Sequence, residues 1–339
     1  MTAQSTLTPE EAPPRGQPAA ARLLRKLAES PSAGVVIACV LVFTIIGANA
    51  PTYTSAGNLQ VMGRDLAQVG ILAVGESLVI LTGGIDLSVG ALAGLAGILT
   101  AWFNVNQGMP APLAIVLTLA ICAAVGLWHG FMVTRLNVPP FMTTLVTYTI
   151  AQGMSLAITT GTPINGIDPL FSNLSQYYIG RVPVPALFFL GVVVIAWFAL
   201  ERTYVGRQIY AVGGNKEAAR LAGIPVARRV TTAYVSSAVL AGVVGVLVIG
   251  RMNVADPSVG IGWELSAIAA AVVGGVSLFG GEGRMVGIAA GAILLEFIAN
   301  GLLALKVNAY DQTIVQGVVL LAAVLLDSLR ARFFGRTRR

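Results

Sequence analysis

Ten apolar stretches of roughly membrane-spanning length run along the chain, at about 33–50, 65–82, 87–103, 111–130, 140–159, 183–200, 230–250, 264–280, 285–303 and 312–328. A helix needs about 20 such residues to cross a hydrocarbon core, and within lipid every backbone polar group must be satisfied inside the protein. The pattern therefore predicts an all-α polytopic membrane protein of about ten transmembrane helices. Only 11% of the 339 residues are charged, against the roughly 25% of a water-soluble domain.

An even number of spans puts both termini on one side, and the side richer in Lys and Arg is the cytoplasmic one. Arg202, Arg207, Lys216, Arg220, Arg228 and Arg229 lie together between the sixth and seventh spans. They share a side with Arg135, Arg284 and the arginines of both tails; only Arg64, Arg181, Arg251 and Lys306 fall opposite. The net charge of +6 thus records orientation and not a nucleic-acid partner. Residues 1–32, with Pro13, Pro14 and Pro18 and no signal-peptide core, read as a disordered cytoplasmic tail. The transmembrane domain occupies 33–328 with a cytoplasmic loop at 201–229, and 329–339 is a basic cytoplasmic tail. The longest external loop is 160–182, where Pro163, Gly166, Pro169 and Gly180 break any single helix.

Inside the cytoplasmic loop, "GGNKEAARLAGIP" at 213–225 encodes its own helix. Asn215 can cap the first free amides, Glu217 suits the positive end of the dipole, and Gly223 with Pro225 stops the chain. The helix, about 10 Å long, carries Ala218, Leu221 and Ala222 on a small apolar stripe with Glu217 and Arg220 beside it. Too short to be stable alone, it must be held, either by the protein's own membrane face or by a partner.

Two double glycines, "GGIDL" at 83–87 and "GGVSL" at 274–278, hint at a duplication. In the first, Gly83 and Gly84 end the second span and Asp86 caps the third. Gly90 and Gly94, and Gly283, Gly287 and Gly291, follow the four-residue spacing of close helix packing in lipid. Glu76 and Glu296 lie deep enough in spans to need a partner, a watery cavity or a proton. Thr82, Ser88, Gln152, Ser155, Asn253 and Asn300 are uncharged groups that could line a polar path. His129 reads as a side chain snorkelling at the inner end of the fourth span. With Cys39 and Cys122 in apolar runs, no metal site is expected.

A phosphate-binding loop needs Lys followed by Ser or Thr, and Lys26, Lys216 and Lys306 precede Leu27, Glu217 and Val307. Any ATP and Mg would belong to another subunit. An ion-coupled carrier using Glu76 and Glu296, or a passive pore, are the readings that need no such subunit.

Glu217-Ala218-Ala219, three residues, then Gly223 resembles the EAA motif of ATP-binding-cassette importer permeases. "ILTGGIDLSVGAL" at 80–92, "GRQIYAVGGNKEAARLAGI" at 206–224 and "ELSAIAAAVVGGVSLFGGEG" at 264–283 resemble, in order and spacing, the ribose-type monosaccharide permeases of that class. "ANGLLAL" at 299–305 and "GVVLLAAVLLDS" at 317–328 extend the likeness; Val276 and Arg284 stand where the family often has threonine. The resemblance implies a non-enzymatic permease subunit in a bacterial plasma membrane, carrying a ribose-like sugar and binding no cofactor of its own. It implies three partners: an ATP-binding subunit, a second permease copy and an external sugar-binding protein. Asn215, Glu217, Ala218, Ala219, Arg220 and Gly223 would couple to the ATPase. Gly83, Gly84, Asp86, Ser88, Gly274 and Gly275 would form a moving gate, with Glu76, Gln152, Glu296 and Asn300 on a possible path. Permeases for branched amino acids and nucleosides share the broad class.

Overall fold

The computed structural model describes residues 31–334, and the expected tail at 1–32 falls almost wholly outside them. Thirteen helices make up the described chain apart from four two-residue strands and short irregular turns. They are α1 (Pro31–Asn49), α2 (Ala56–Leu81), α3 (Val89–Ala101), α4 (Ala111–Arg135), α5 (Pro140–Thr159), α6 (Pro169–Gln176) and α7 (Val184–Trp197). There follow α8 (Tyr204–Gly214), α9 (Lys216–Leu221), α10 (Val226–Met252), α11 (Trp263–Val273), α12 (Met285–Ala304) and α13 (Ala309–Phe334). Helix α13 runs past the span end expected at 328, so the first residues of the basic tail are helical.

Six helices among the described residues are long and apolar enough to cross a membrane: α3 and α7 with their π-turn extensions, α4, α5, α10 and α12. Helix α2 has the length, but it carries Arg64, Asp65 and Glu76 and begins nine residues before the expected span. The stretch at 264–280 is not one continuous helix. At 11 residues α11 reaches only about 16 Å, because the chain leaves the helix at Gly274 and Gly275 and turns.

Most of α3 and α10 is buried, whereas only a minority of α4, α5 and α7 is. Helix α10 is the axis, packed by α2, α3, α4 and α6, while α12 gathers α1, α2, α11 and α13. Small residues allow this where no water-driven force joins helices. A Cβ on Gly245 would overlap the Ala93 carbonyl of α3, and one on Gly126 would lie 2.5 Å from Val235 Cα. Gly90 and Gly94 serve a different neighbour from the one expected, a loop and not a helix: they face the Gly260 and Val259 carbonyls. Large apolar side chains such as Leu41, Val116, Val146 and Ile195 project from α1, α4, α5 and α7, a belt far larger than an aqueous surface tolerates.

At the end of the bundle away from the 201–229 loop, residues of the 160–182 loop form β1 (Ile164–Asn165), which pairs antiparallel with β4 (Val254–Ala255). A small hairpin of β2 (Tyr178–Ile179) and β3 (Val182–Pro183) closes the same end.

Candidate functional site

Helix α9 is built as its residues dictate. Asn215 accepts a hydrogen bond from the Ala218 N–H at 2.9 Å, and Gly223, at φ 78°, ends it while Ile224 N–H returns to the Ala219 carbonyl at 3.0 Å. Glu217 and Arg220 pair at 2.9 Å with both side chains about 70% exposed. The expected apolar stripe is not the seated side: Ala218, Leu221 and Ala222 are all exposed, Leu221 at 86%, while Ala219, outside the stripe, faces the protein at 4% exposure. One side is therefore seated, and the other presents an isobutyl group beside an ion pair.

Ala219 packs among Val79 of α2, Val212 of α8 and Val230, Ala233 and Tyr234 of α10, and the step into α9 is held by backbone. The Gly281 N–H donates to the Leu81 carbonyl at 3.1 Å, at the last residue of α2. A Cβ on Gly213 would overlap that same carbonyl, and a Cβ on Gly281 would lie 2.6 Å from Gly214 N. The step into α9 thus touches the exit of α2 and the 274–284 turn at once. Two side chains add to the joint. The Tyr210 hydroxyl donates to the Gly283 carbonyl at 3.0 Å, and Glu201 accepts the Met285 N–H at 3.4 Å while Trp197 Nε1 donates to it at 3.1 Å. Burial and the neighbouring Glu201 carboxylate push the Tyr210 phenol above the usual tyrosine range, so it remains a donor. Lys216 brings its ammonium to about 4.0 Å from where a Cβ on Gly83 would sit, next to the carbonyl-rich end of α2.

The two double-glycine turns have the same hydrogen-bond pattern but in a register one residue off their sequence match. Gly84 N–H bonds to the Val79 carbonyl at 3.1 Å after Gly83 at φ 76°; Val276 N–H bonds to Ala271 at 3.0 Å after Gly275 at φ 89°. Gly83 therefore corresponds to Gly275, and Gly274, the residue that caps the end of α11, instead abuts the Gly287 carbonyl of α12.

Behind the first turn lies a polar knot. Asp86 does not cap α3 in the expected way: Oδ1 accepts from the Ser88 N–H (2.9 Å) and hydroxyl (2.6 Å), and Oδ2 from Ser237 of α10 at 3.2 Å. Glu76 Oε1 accepts the Asp86 N–H at 3.1 Å, and Leu87 N–H reaches Thr144 Oγ1 at 3.1 Å. His129 does not snorkel. It is fully buried, shares a 2.8 Å hydrogen bond with Thr147 and sets its ring edge against Tyr234, whose hydroxyl lies 2.6 Å from a Cβ built on Gly84. Irregular backbone at this depth persists because its amides find partners within the protein. Sequence reading finds Glu76, Asp86 and Ser88, places His129 at the membrane edge, and misses Thr144, Tyr234 and Ser237; the polar Tyr234–Ser237 spacing on an apolar helix is the signal that points to the last two.

The remaining residues lie apart. Glu296 lines a cavity of about 550 Å³. Asn300, one turn on, accepts from Asn58 at 2.8 Å. Gln152 bonds Tyr148 on α5 at 2.8 Å, Ser155 and Thr82 turn back onto their own helices, and Asn253, just past the end of α10, accepts from Ser172 of α6. Glu76 and Glu296 therefore occupy separate sites.

The family profile described as branched-chain amino acid transport system / permease component matches residues 64–324. The chain is similar to the ribose import permease protein of Escherichia coli K12, 40% identical over 86% of this chain and 92% of that protein. It is similar to the ribose import permease protein of Bacillus subtilis 168, at 38% over 87% and 92%. It also resembles the galactose/methyl galactoside import permease protein of Escherichia coli K12, at 35% over 88% and 94%. No solved structure matches it. With that profile over most of its length and the same double-glycine turns and EAA-like helix brought together in one joint, the chain belongs to this permease family, in the group that holds the ribose and galactose import permeases, as a transport subunit and not an enzyme.

Proposed function

We propose that the chain is the membrane subunit of an ATP-binding-cassette importer for a ribose-like pentose or a hexose, crossing a bacterial plasma membrane about ten times with both termini cytoplasmic. A second permease copy completes the path, an external binding protein delivers the sugar, and ATP and Mg act on a separate subunit. The observation that carries this reading is the two-sided α9, with Ala219 packed among Val79, Val212 and Tyr234, its entry at Gly213 and Gly214 set against Leu81 and Gly281, and Leu221, Glu217 and Arg220 presented outward. Closure of the ATP-binding subunits presses on that outward side, and the joint passes the displacement to α2, α11 and α12.

The test is capture of the ATP-binding subunit from detergent extract by wild type and by a Glu217→Arg, Gly223→Asp double variant that still inserts in the membrane. Capture by the wild type and its loss in the variant supports the reading. Equal capture by both removes α9 from the contact, and no capture by either returns the question to gradient-driven uptake, where Glu76→Gln and Glu296→Gln are the deciding variants.

A further inference from the structure

We infer that the cavity walled by Trp263, Ser266 and Glu296 is a sugar subsite, which holds one monosaccharide ring with the indole over a C–H face and the carboxyl accepting from adjacent hydroxyls. This rests on the importer reading and adds where in the chain the sugar is held. The cavity, about 550 Å³, lies between α2, the 261–269 segment, α12 and α13, and it has the size and the mainly apolar walls with few polar groups of a small-molecule site. It sits in the half of the bundle nearer the 160–182 loop, the half that faces the external binding protein in the proposed topology.

Glu296 is 6% exposed and takes no hydrogen bond from any described residue, although it lines this space. A carboxyl that lines a cavity without a hydrogen-bond partner is open to a guest that supplies donors. Its two oxygens offer several acceptor positions on one plane, a fit to vicinal hydroxyls. Trp263 stands at the start of α11, with Ser266 three residues on and so on the same face. An indole face is electron-rich and attracts the slightly positive C–H hydrogens of a sugar ring. An apolar guest would leave Glu296 unpaired. A metal ion would need more ligands than one carboxyl and one hydroxyl, and no cluster of three or more metal-binding side chains exists among the described residues.

The test is Ser266→Cys in the assembled transporter, where Cys39 and Cys122 are both buried. Labelling by N-ethylmaleimide is timed with and without D-ribose, D-allose or D-galactose, and uptake of the same sugars is measured in parallel. An imported sugar should slow labelling about threefold or more, and adding Glu296→Ala should remove that protection. Glu296→Ala alone should raise the half-saturating sugar concentration about tenfold, as expected when a site built to pair with substrate hydroxyls loses its acceptor, with capture of the ATP-binding subunit unchanged. Glu296→Gln, which keeps the shape and an acceptor, should fall between. Unchanged labelling by a sugar that the same membranes import, with wild-type uptake in Glu296→Ala, overturns the subsite and leaves the importer standing. Protection in a protein that captures no ATP-binding subunit keeps the subsite and removes the ATP-driven reading.

Discussion

Asp86 accepts three hydrogen bonds from two helices' worth of donors and offers its own N–H to Glu76, so it fixes the 83–88 turn against α2 and α10 together. Replacing it by Ala removes every one of the side-chain bonds at once. We expect Asp86→Ala to lower sugar uptake about tenfold or more while membrane insertion holds, whereas Ser237→Ala, which deletes one bond worth about 1 kcal/mol, should cost only a few-fold. Uptake normalised to the amount in the membrane checks both, and a parallel loss of uptake and insertion leaves Asp86 a purely structural role. The sequence makes Glu76 and Asp86 visible because an acid in an apolar run is conspicuous. It hides their arrangement: Ser237 is 151 residues away, and the expectation that Asp86 caps α3 fails because a serine two residues on and a serine on another helix compete for the same oxygens.

Helix α9 is the element most legible in the chain, since Asn215, Gly223 and Pro225 act within a few residues of themselves. Which side it seats is not legible. Six residues present almost any face to a neighbour, and the choice of Ala219 inward and Leu221 outward is made by the apolar side chains of α2, α8 and α10 that receive Ala219. Two substitutions separate seat from outer face. Leu221→Asp should leave stability within about 0.5 kcal/mol, as for an exposed site, yet cut capture of the ATP-binding subunit about tenfold. Gly213→Val drives side-chain atoms into the Leu81 carbonyl, an overpacking cost of about 1–3 kcal/mol; it should keep capture and lose uptake. Affinity purification and transport measured on the same preparations decide the pair, and loss of both properties in both variants would merge the two roles.

At the scale of the molecule, hydropathy reports where the chain is apolar but not how a span ends. It finds α4, α5 and α12 within a few residues, misplaces the start of α2 because Arg64 and Asp65 are polar yet helical, and overextends α11 because a glycine turn folded into the protein is as apolar as a helix. The proposed orientation predicts that Glu217→Cys is labelled by a membrane-impermeant thiol reagent only from the cytoplasmic side and Lys306→Cys only from the outside; the reverse pattern in intact cells would invert the protein. The joint at Gly213, Gly281 and Leu81 has a consequence beyond fit. Side chains between moving parts act as springs, since a rotamer change can absorb a fraction of an ångström before anything further along responds. Here the parts meet main chain to main chain, with nothing to bend at the point of contact. In the proposed cycle such a linkage has little backlash: travel that reaches the step at Gly213 and Gly214 passes to the end of α2 with no rotamer there to take it up.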